Sequence, residues 1–128
     1  MKYNACTTGK AELMQVPHAD AAVVSQEKIV GYLLNPLHPD GAGKALFFRR
    51  LGFRAEQWEA LAAALRDLAT RSEVISRVDS KHGAKYIIDG LVDTPSGRTA
   101  NVRTVWIIDA GEETPRLVTA YPRPQEIE

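Results

Sequence analysis

The sequence predicts an α+β domain in which N-terminal helices pack on a C-terminal antiparallel sheet of about four strands. Residues 55–69 are rich in Ala and Leu, with apolar residues at helical spacing. After Ser72 the chain consists of short runs rich in β-branched residues, separated by Gly and Pro. Because short turns join neighbouring strands only in antiparallel pairs, these strands form a meander.

Three helices are predicted before Ser72. The first begins at Ser25, a favourable N-cap, and ends at Asn35, because Pro36 disfavours helical backbone at the residue before it. Its apolar stripe consists of Ile29, Tyr32 and Leu33. The second is closed by Gly52, a typical residue just past a helix end. The predicted helices span 25–35, 43–51 and 55–69.

The strands follow from β-branched runs and the turns between them. The turn residues Pro95 to Gly97 and Gly111 to Pro115 separate the last three runs, and Pro122 ends the final one. A weaker run directly after the third helix adds one more strand. The predicted strands span 74–78, 85–92, 98–109 and 117–121.

Length and composition indicate one ordinary globular domain. The chain has 128 residues, of which 45% are hydrophobic and 25% charged. We assign residues 21–124 to the domain and expect residues 1–20 to form a strand or to be partly disordered. The single cysteine, Cys6, excludes a disulfide framework and any C-x-x-C metal or redox motif.

The net charge of zero is the sum of segments that carry different net charges. Residues 1–40 carry three basic and four acidic side chains. Residues 41–103 carry eleven basic and seven acidic side chains, and residues 104–128 carry two basic and five acidic ones. Neutrality argues against a large, nonspecific grip on nucleic acid, because phosphate binding depends on Lys and Arg. The central segment nevertheless has a net charge of +4, which leaves room for a small phosphate-binding site.

Two candidate site residues lie around the start of the second helix, His38 in the loop before it and Lys44 at its N-terminus. Gly41 to Lys44 resembles part of a nucleotide-binding loop, but the residue after Lys44 is Ala45, so the hydroxyl that binds magnesium is missing. The helix dipole disfavours a cation at a helix N-terminus, whereas an anion is favoured there, so Lys44 is better placed as an anion ligand. The simpler alternative is that His38 is a turn residue and Lys44 a solvated side chain.

Four further candidates lie on the last two predicted strands. Polar residues occur on both faces of the strand that contains Arg103 and Thr104, whereas a structural strand of this length normally keeps one face apolar. On the last strand, Thr119 and Tyr121 place hydroxyls two residues apart. The alternative is an ordinary half-exposed sheet that uses Thr for its β propensity.

No metal, cofactor or membrane association is expected. The three histidines have no metal-ligand spacing, either with one another or with paired carboxylates. The longest apolar runs are about four residues, far short of the ~20 that a membrane helix needs. The first twenty residues lack the apolar region and cleavage site of a signal peptide, so we expect the protein in the cytoplasm.

Several segments together resemble a small uncharacterised bacterial domain family. The signature stretches are Tyr32–Gly41, Lys44–Phe48, Tyr86–Gly90, Arg98–Trp106 and Pro115–Pro122. The layout of helices followed by a four-stranded meander is also similar to that of metal-independent ribonuclease toxins, the group of barnase, EndoU, colicins and RelE. Those domains typically carry a His and a Lys near the first helices, an Arg or Thr on a middle strand, and a Thr/Ser-x-Tyr/His pair on the last strand.

The resemblance implies an endoribonuclease that cleaves RNA by attack of the 2′-hydroxyl on phosphate and leaves a 2′,3′-cyclic phosphate. His38 would act as general base or acid, Lys44 and Arg103 would stabilise charge on the phosphate, and Thr119 and Tyr121 would orient the substrate. RNA and a small cognate inhibitor protein are the implied partners. The oligomeric state stays open.

The other class of function is a non-catalytic protein-binding module, for example one half of a two-gene toxin–antitoxin-like pair. Catalytic groups must converge on one substrate. A separation of more than ~10 Å between Lys44 Nζ and both last-strand hydroxyls would therefore favour the binding module over the enzyme.

Overall fold

A computed structural model describes residues 15–123. The helical part opens with a 3₁₀ turn, Ala19–Ala21. Helix α1 (Gln26–Lys28) continues as a π-helical turn over Ile29–Leu33, followed by α2 (Ala42–Arg50), a 3₁₀ turn (Ala55–Gln57) and α3 (Trp58–Arg71). Four strands complete the chain: β1 (Val74–Ser80), β2 (Gly83–Asp93), β3 (Thr99–Asp109) and β4 (Arg116–Pro122).

The predicted fold class is confirmed. The strands form one antiparallel sheet in the order β1-β2-β3-β4, so each strand pairs with its neighbour in sequence. Each predicted helix and strand is present, with ends that differ from the prediction by a few residues. None of the helices within residues 15–123 has the length and apolar character needed to cross a membrane.

The core lies between the sheet and the helices. Leu61, Leu65 and Leu68 of α3 are fully buried, as the spacing along this helix predicts. Gly90 of β2 lies directly under α3, where a Cβ atom would meet the side chain of Leu68. The strands contribute a second set of buried side chains, which includes Ile88, Val92, Val102, Trp106, Leu117 and Ala120.

The first twenty residues fall partly outside the described chain. Residues 1–14 lie beyond the described residues, so the expectation of a strand or partial disorder there is not tested. Val16 and Ala19 are buried and belong to the core. Both residues precede residue 21, the boundary that we assigned from the sequence.

Thr104 belongs to the core and not to a surface site. Its side chain is fully buried on the face of β3 that packs against the helices. The hydroxyl donates to the Ile88 carbonyl at 3.2 Å and accepts from Trp106 Nε1 at 2.8 Å. This hydroxyl satisfies two buried groups, which explains a polar residue on the apolar face of the strand. The candidate role of Thr104 in a site is therefore withdrawn.

We expect Thr104→Val to destabilise the protein by about 1–3 kcal/mol, because the buried indole N–H loses its acceptor. Urea unfolding followed by Trp fluorescence measures this change. Thr99→Val, at an exposed position of the same strand, is the control and should stay within about 0.5 kcal/mol of wild type. Equal stability of the two variants would contradict the structural role of Thr104.

Candidate functional site

The hydroxyl of Tyr32 joins three separate segments of the chain. Lys44 Nζ, in the first turn of α2, donates a hydrogen bond to it at 2.8 Å. Thr119 Oγ1 of β4 lies 3.0 Å from the same oxygen. Since one oxygen contacts both groups, Nζ and Oγ1 lie well within the ~10 Å limit set for converging catalytic groups.

The π-helical turn positions Tyr32. Leu34 N–H bonds to the Ile29 carbonyl at 2.8 Å, an i→i+5 bond that widens this turn. Ile29 and Leu33 are buried in the core, whereas Tyr32 stays half-buried at the surface. Gly41 permits close contact on the other side, because a Cβ atom there would lie 2.6 Å from the Tyr32 carbonyl oxygen.

His38 lies against the ring of Tyr32. The two rings meet edge to face with centroids 4.9 Å apart. His38 Nδ1 accepts hydrogen bonds from the backbone N–H groups of Asp40 and Gly41, at 2.9 and 3.1 Å. Since Nδ1 serves as an acceptor, the neutral ring carries its proton on Nε2 and acts there as a donor.

Tyr32, His38 and Thr119 line one cleft of about 620 Å³ beside β4. Lys44 is not part of the cleft wall, but it donates a hydrogen bond to the hydroxyl of Tyr32, which is part of it. Lys28 and Lys44 place their ammonium groups 5.2 and 5.1 Å from the Tyr32 ring centroid, both within cation–π range. Acidic side chains also contribute to the wall. The lining residues are Ser25, Glu27, Lys28, Gly31, Tyr32, His38, Asp40, Val118 and Thr119.

The surroundings of Tyr32 favour its ionised form. Burial raises the pKa of the phenol, but hydrogen bonds from Lys44 and Thr119 and the positive charges of Lys44 and Lys28 lower it by more. The net result is a pKa below the ordinary value of a tyrosine. A phenol in this setting gives up its proton more readily than one in water.

Tyr121 and Arg103 lie next to this cleft. They are cross-strand neighbours on β4 and β3, and Lys44 Nζ lies 6.0 Å from the Tyr121 ring centroid. Arg103 makes a two-pronged ion pair with Asp89 of β2, with Nε and Nη2 at 2.7 and 2.9 Å from the two carboxylate oxygens. Its hydrogen bonds to Asp89 raise the pKa of Arg103, so its charge is permanent but already paired.

The structure thus divides the six predicted site residues. His38, Lys44 and Thr119 come together at Tyr32. Tyr121 lies beside Lys44, and Arg103 is its cross-strand neighbour. Thr104 lies apart from them in the core. Sequence analysis missed Tyr32, which it treated as part of the apolar stripe of the first helix. Within residues 15–123 no group of three or more His, Cys, Asp or Glu side chains is placed to hold a metal ion.

Comparison with known proteins places this fold in a family. Residues 15–124 match a domain of unknown function, DUF6883. The chain belongs to the DUF6883 family. This match covers most of the chain and fits the uncharacterised family that the signature stretches predict. No curated protein matches this DUF6883 domain.

The DUF6883 domain is also similar to a solved structure. A chain of the "Contact-dependent growth inhibition toxin - immunity protein complex from Klebsiella pneumoniae 342" aligns with a TM-score of 0.64. The alignment covers 79% of this chain and 99% of that chain, at 16% sequence identity. Likeness at this identity establishes a shared fold.

We expect Lys44→Met to raise the pKa of Tyr32, because it removes both a hydrogen-bond donor and a positive charge. Lys28→Met removes a charge alone and should raise that pKa less. NMR titration of protein labelled at tyrosine Cζ measures both shifts, with Tyr32→Phe to assign the resonance. A Lys28→Met shift as large as that of Lys44→Met would contradict the hydrogen-bond geometry.

Proposed function

We propose that this protein is a metal-independent endoribonuclease of the bacterial toxin type. The observation that carries the proposal is the junction of Lys44, Tyr32 and Thr119, with His38 against the same ring. Cleavage by the 2′-hydroxyl of RNA requires stabilisation of charge on the phosphate and a proton for the leaving oxygen. Tyr32 lines the cleft, and Lys44 donates a hydrogen bond to its hydroxyl and helps to lower its pKa.

In this reaction the 2′-oxygen attacks phosphorus and the bond from phosphorus to the 5′-oxygen breaks. The 2′-hydroxyl loses its proton to water, and Tyr32 supplies the proton that the departing 5′-oxygen gains. Lys44 stabilises both the phosphate charge and the Tyr32 phenolate, which then regains a proton from water. The products are a 2′,3′-cyclic phosphate and a free 5′-hydroxyl.

His38 and Thr119 bind and orient the phosphate in this scheme. The sequence left open whether His38 acts as base or acid. With Nδ1 held by two backbone N–H groups, the ring offers Nε2–H, and we assign it as a donor to a phosphate oxygen. The Thr119 hydroxyl fixes the phenol and leaves it facing the cleft.

The proposal that this protein is a toxin with a protein partner depends on the similarity of its fold to a solved structure. The similar solved structure is a complex that contains a growth inhibition toxin and its immunity protein. This supports a place for the present protein in a toxin–immunity system, with a small cognate inhibitor that covers the cleft. RNA is proposed as the substrate because the sequence resembles the ribonuclease toxins of the barnase, EndoU, colicin and RelE group in its layout of helices followed by a four-stranded meander. We propose the cytoplasm as the place where the protein acts.

Purified protein incubated with total RNA in EDTA should produce fragments that end in 2′,3′-cyclic phosphate. Tyr32→Phe should slow cleavage by about 10²–10⁴-fold, because the proton donor is lost. Lys44→Ala should slow it by about 10²–10³-fold, because charge on the phosphate is no longer stabilised. Both rates are measured by gel electrophoresis and end-group analysis.

Lys81→Ala is the matched control, since Lys81 lies in the exposed turn between β1 and β2. This variant should cleave at the wild-type rate. Absence of cleavage by the wild type, or equal cleavage by all three variants, would contradict the proposed ribonuclease activity. A folded wild type that does not cleave RNA would instead favour the non-catalytic binding module.

A further inference from the structure

A second positive cluster lies on the open face of the sheet, next to the cleft. Asp89 is at its centre, with a side chain only 10% exposed. Arg103 holds both carboxylate oxygens, and Arg123 Nε lies 3.2 Å from one of them. Two guanidinium groups therefore share one carboxylate, which leaves the cluster with a net charge of +1.

Arg123 is not required to neutralise Asp89. The two-pronged pair with Arg103 already neutralises Asp89. Arg123 contacts Asp89 through Nε, and its side chain remains 45% exposed. Its backbone N–H bonds to the Asn101 carbonyl at 3.0 Å, which fixes the end of the strand. The guanidinium is thus held in place while its terminal N–H groups stay accessible for an anion.

Tyr121 connects this cluster to the cleft. It pairs with Arg103 across the two strands, and its ring lies 6.0 Å from Lys44 Nζ on the other side. The half-buried ring therefore lies between the proposed scissile phosphate site and the arginine cluster. Alternating aromatic rings and cations along a groove are typical of proteins that bind single-stranded nucleic acid.

We propose that Arg123 and Tyr121 form a second nucleotide subsite, in which a flanking phosphate of single-stranded RNA binds Arg123 and its base stacks on Tyr121. The subsite rests on the proposed function, since it places the RNA chain across β4 from the cleft. Asp89 is a positioning residue that holds Arg123, and Arg103 in turn holds Asp89. This assignment takes Arg103 away from the reacting phosphate and gives it a positioning role instead.

The test uses a fluorescent 2′-O-methyl RNA hexamer, which binds without being cleaved because its 2′-oxygen is blocked. Fluorescence anisotropy measures its affinity for the full chain over a range of salt concentrations. Arg123→Gln should weaken binding several-fold. It should also reduce the slope of the logarithm of the binding constant against the logarithm of the salt concentration by about 0.7, which corresponds to the loss of one phosphate contact on a single strand. A 2′-O-methyl dinucleotide, with one internucleotide phosphate, should bind wild type and variant alike.

Arg116→Gln is the matched control. Arg116 also belongs to this sheet and makes a two-pronged pair with an aspartate, Asp109, at 2.7 and 3.0 Å. This variant should keep the wild-type salt dependence. Tyr121→Leu should also weaken hexamer binding, whereas Tyr121→Phe, which keeps the aromatic face, should not.

The outcomes separate the two proposals. If the wild type binds the hexamer and Arg123→Gln has the same salt dependence as Arg116→Gln, the second subsite is wrong while the proposed ribonuclease stands. The same conclusion follows if the wild type cleaves RNA but does not bind the hexamer. A wild type that neither binds the hexamer nor cleaves RNA overturns both.

Discussion

The arrangement of the site depends on the hydroxyl group of one half-buried tyrosine. Tyr32 comes from a π-helical turn, Lys44 from the first turn of α2 and Thr119 from the edge strand β4. Lys44 follows Tyr32 by 12 residues and Thr119 follows it by 87, and hydrogen bonds of 2.8 and 3.0 Å bring their polar groups to one point. The same two contacts lower the pKa of Tyr32, because the hydrogen bonds from Lys44 and Thr119 both stabilise the phenolate.

The two faces of the sheet have different roles around this junction. The inner face carries Trp106 and Thr104, which satisfy each other's polar atoms under the helices. The outer face carries Arg103 and Tyr121 as cross-strand neighbours. Since successive side chains alternate between faces, adjacent polar residues on β3 serve unrelated purposes, one in packing and one at the surface.

Sequence reasoning recovered the elements whose signals are local. The spacing of Leu61, Leu65 and Leu68 identifies α3, and β-branched runs between Gly and Pro identify the strands. It also selected Lys44 and Thr119, because a cation at a helix N-terminus and a polar residue pair on a strand are visible without coordinates.

What the sequence could not reveal depends on contacts between distant segments. Tyr32 looked like a core residue, because its spacing with Ile29 and Leu33 fits an ordinary helix and does not disclose the wider π turn. Thr104 looked like a site residue, because nothing local marks the indole N–H of Trp106 from which it accepts a hydrogen bond. The pairing of Arg103 with Asp89 requires the register of β2 against β3, which the turn lengths alone do not define.

The most direct test of the account concerns the proton that Tyr32 is proposed to supply. An RNA oligonucleotide in which sulfur replaces the 5′-oxygen at the cleaved linkage has a leaving group that departs without a proton. If Tyr32 is the proton donor, Tyr32→Phe cleaves this linkage at close to the wild-type rate while it remains slow on the natural linkage. If Tyr32→Phe is equally impaired on both linkages, Tyr32 does not protonate the leaving group and the central claim is wrong.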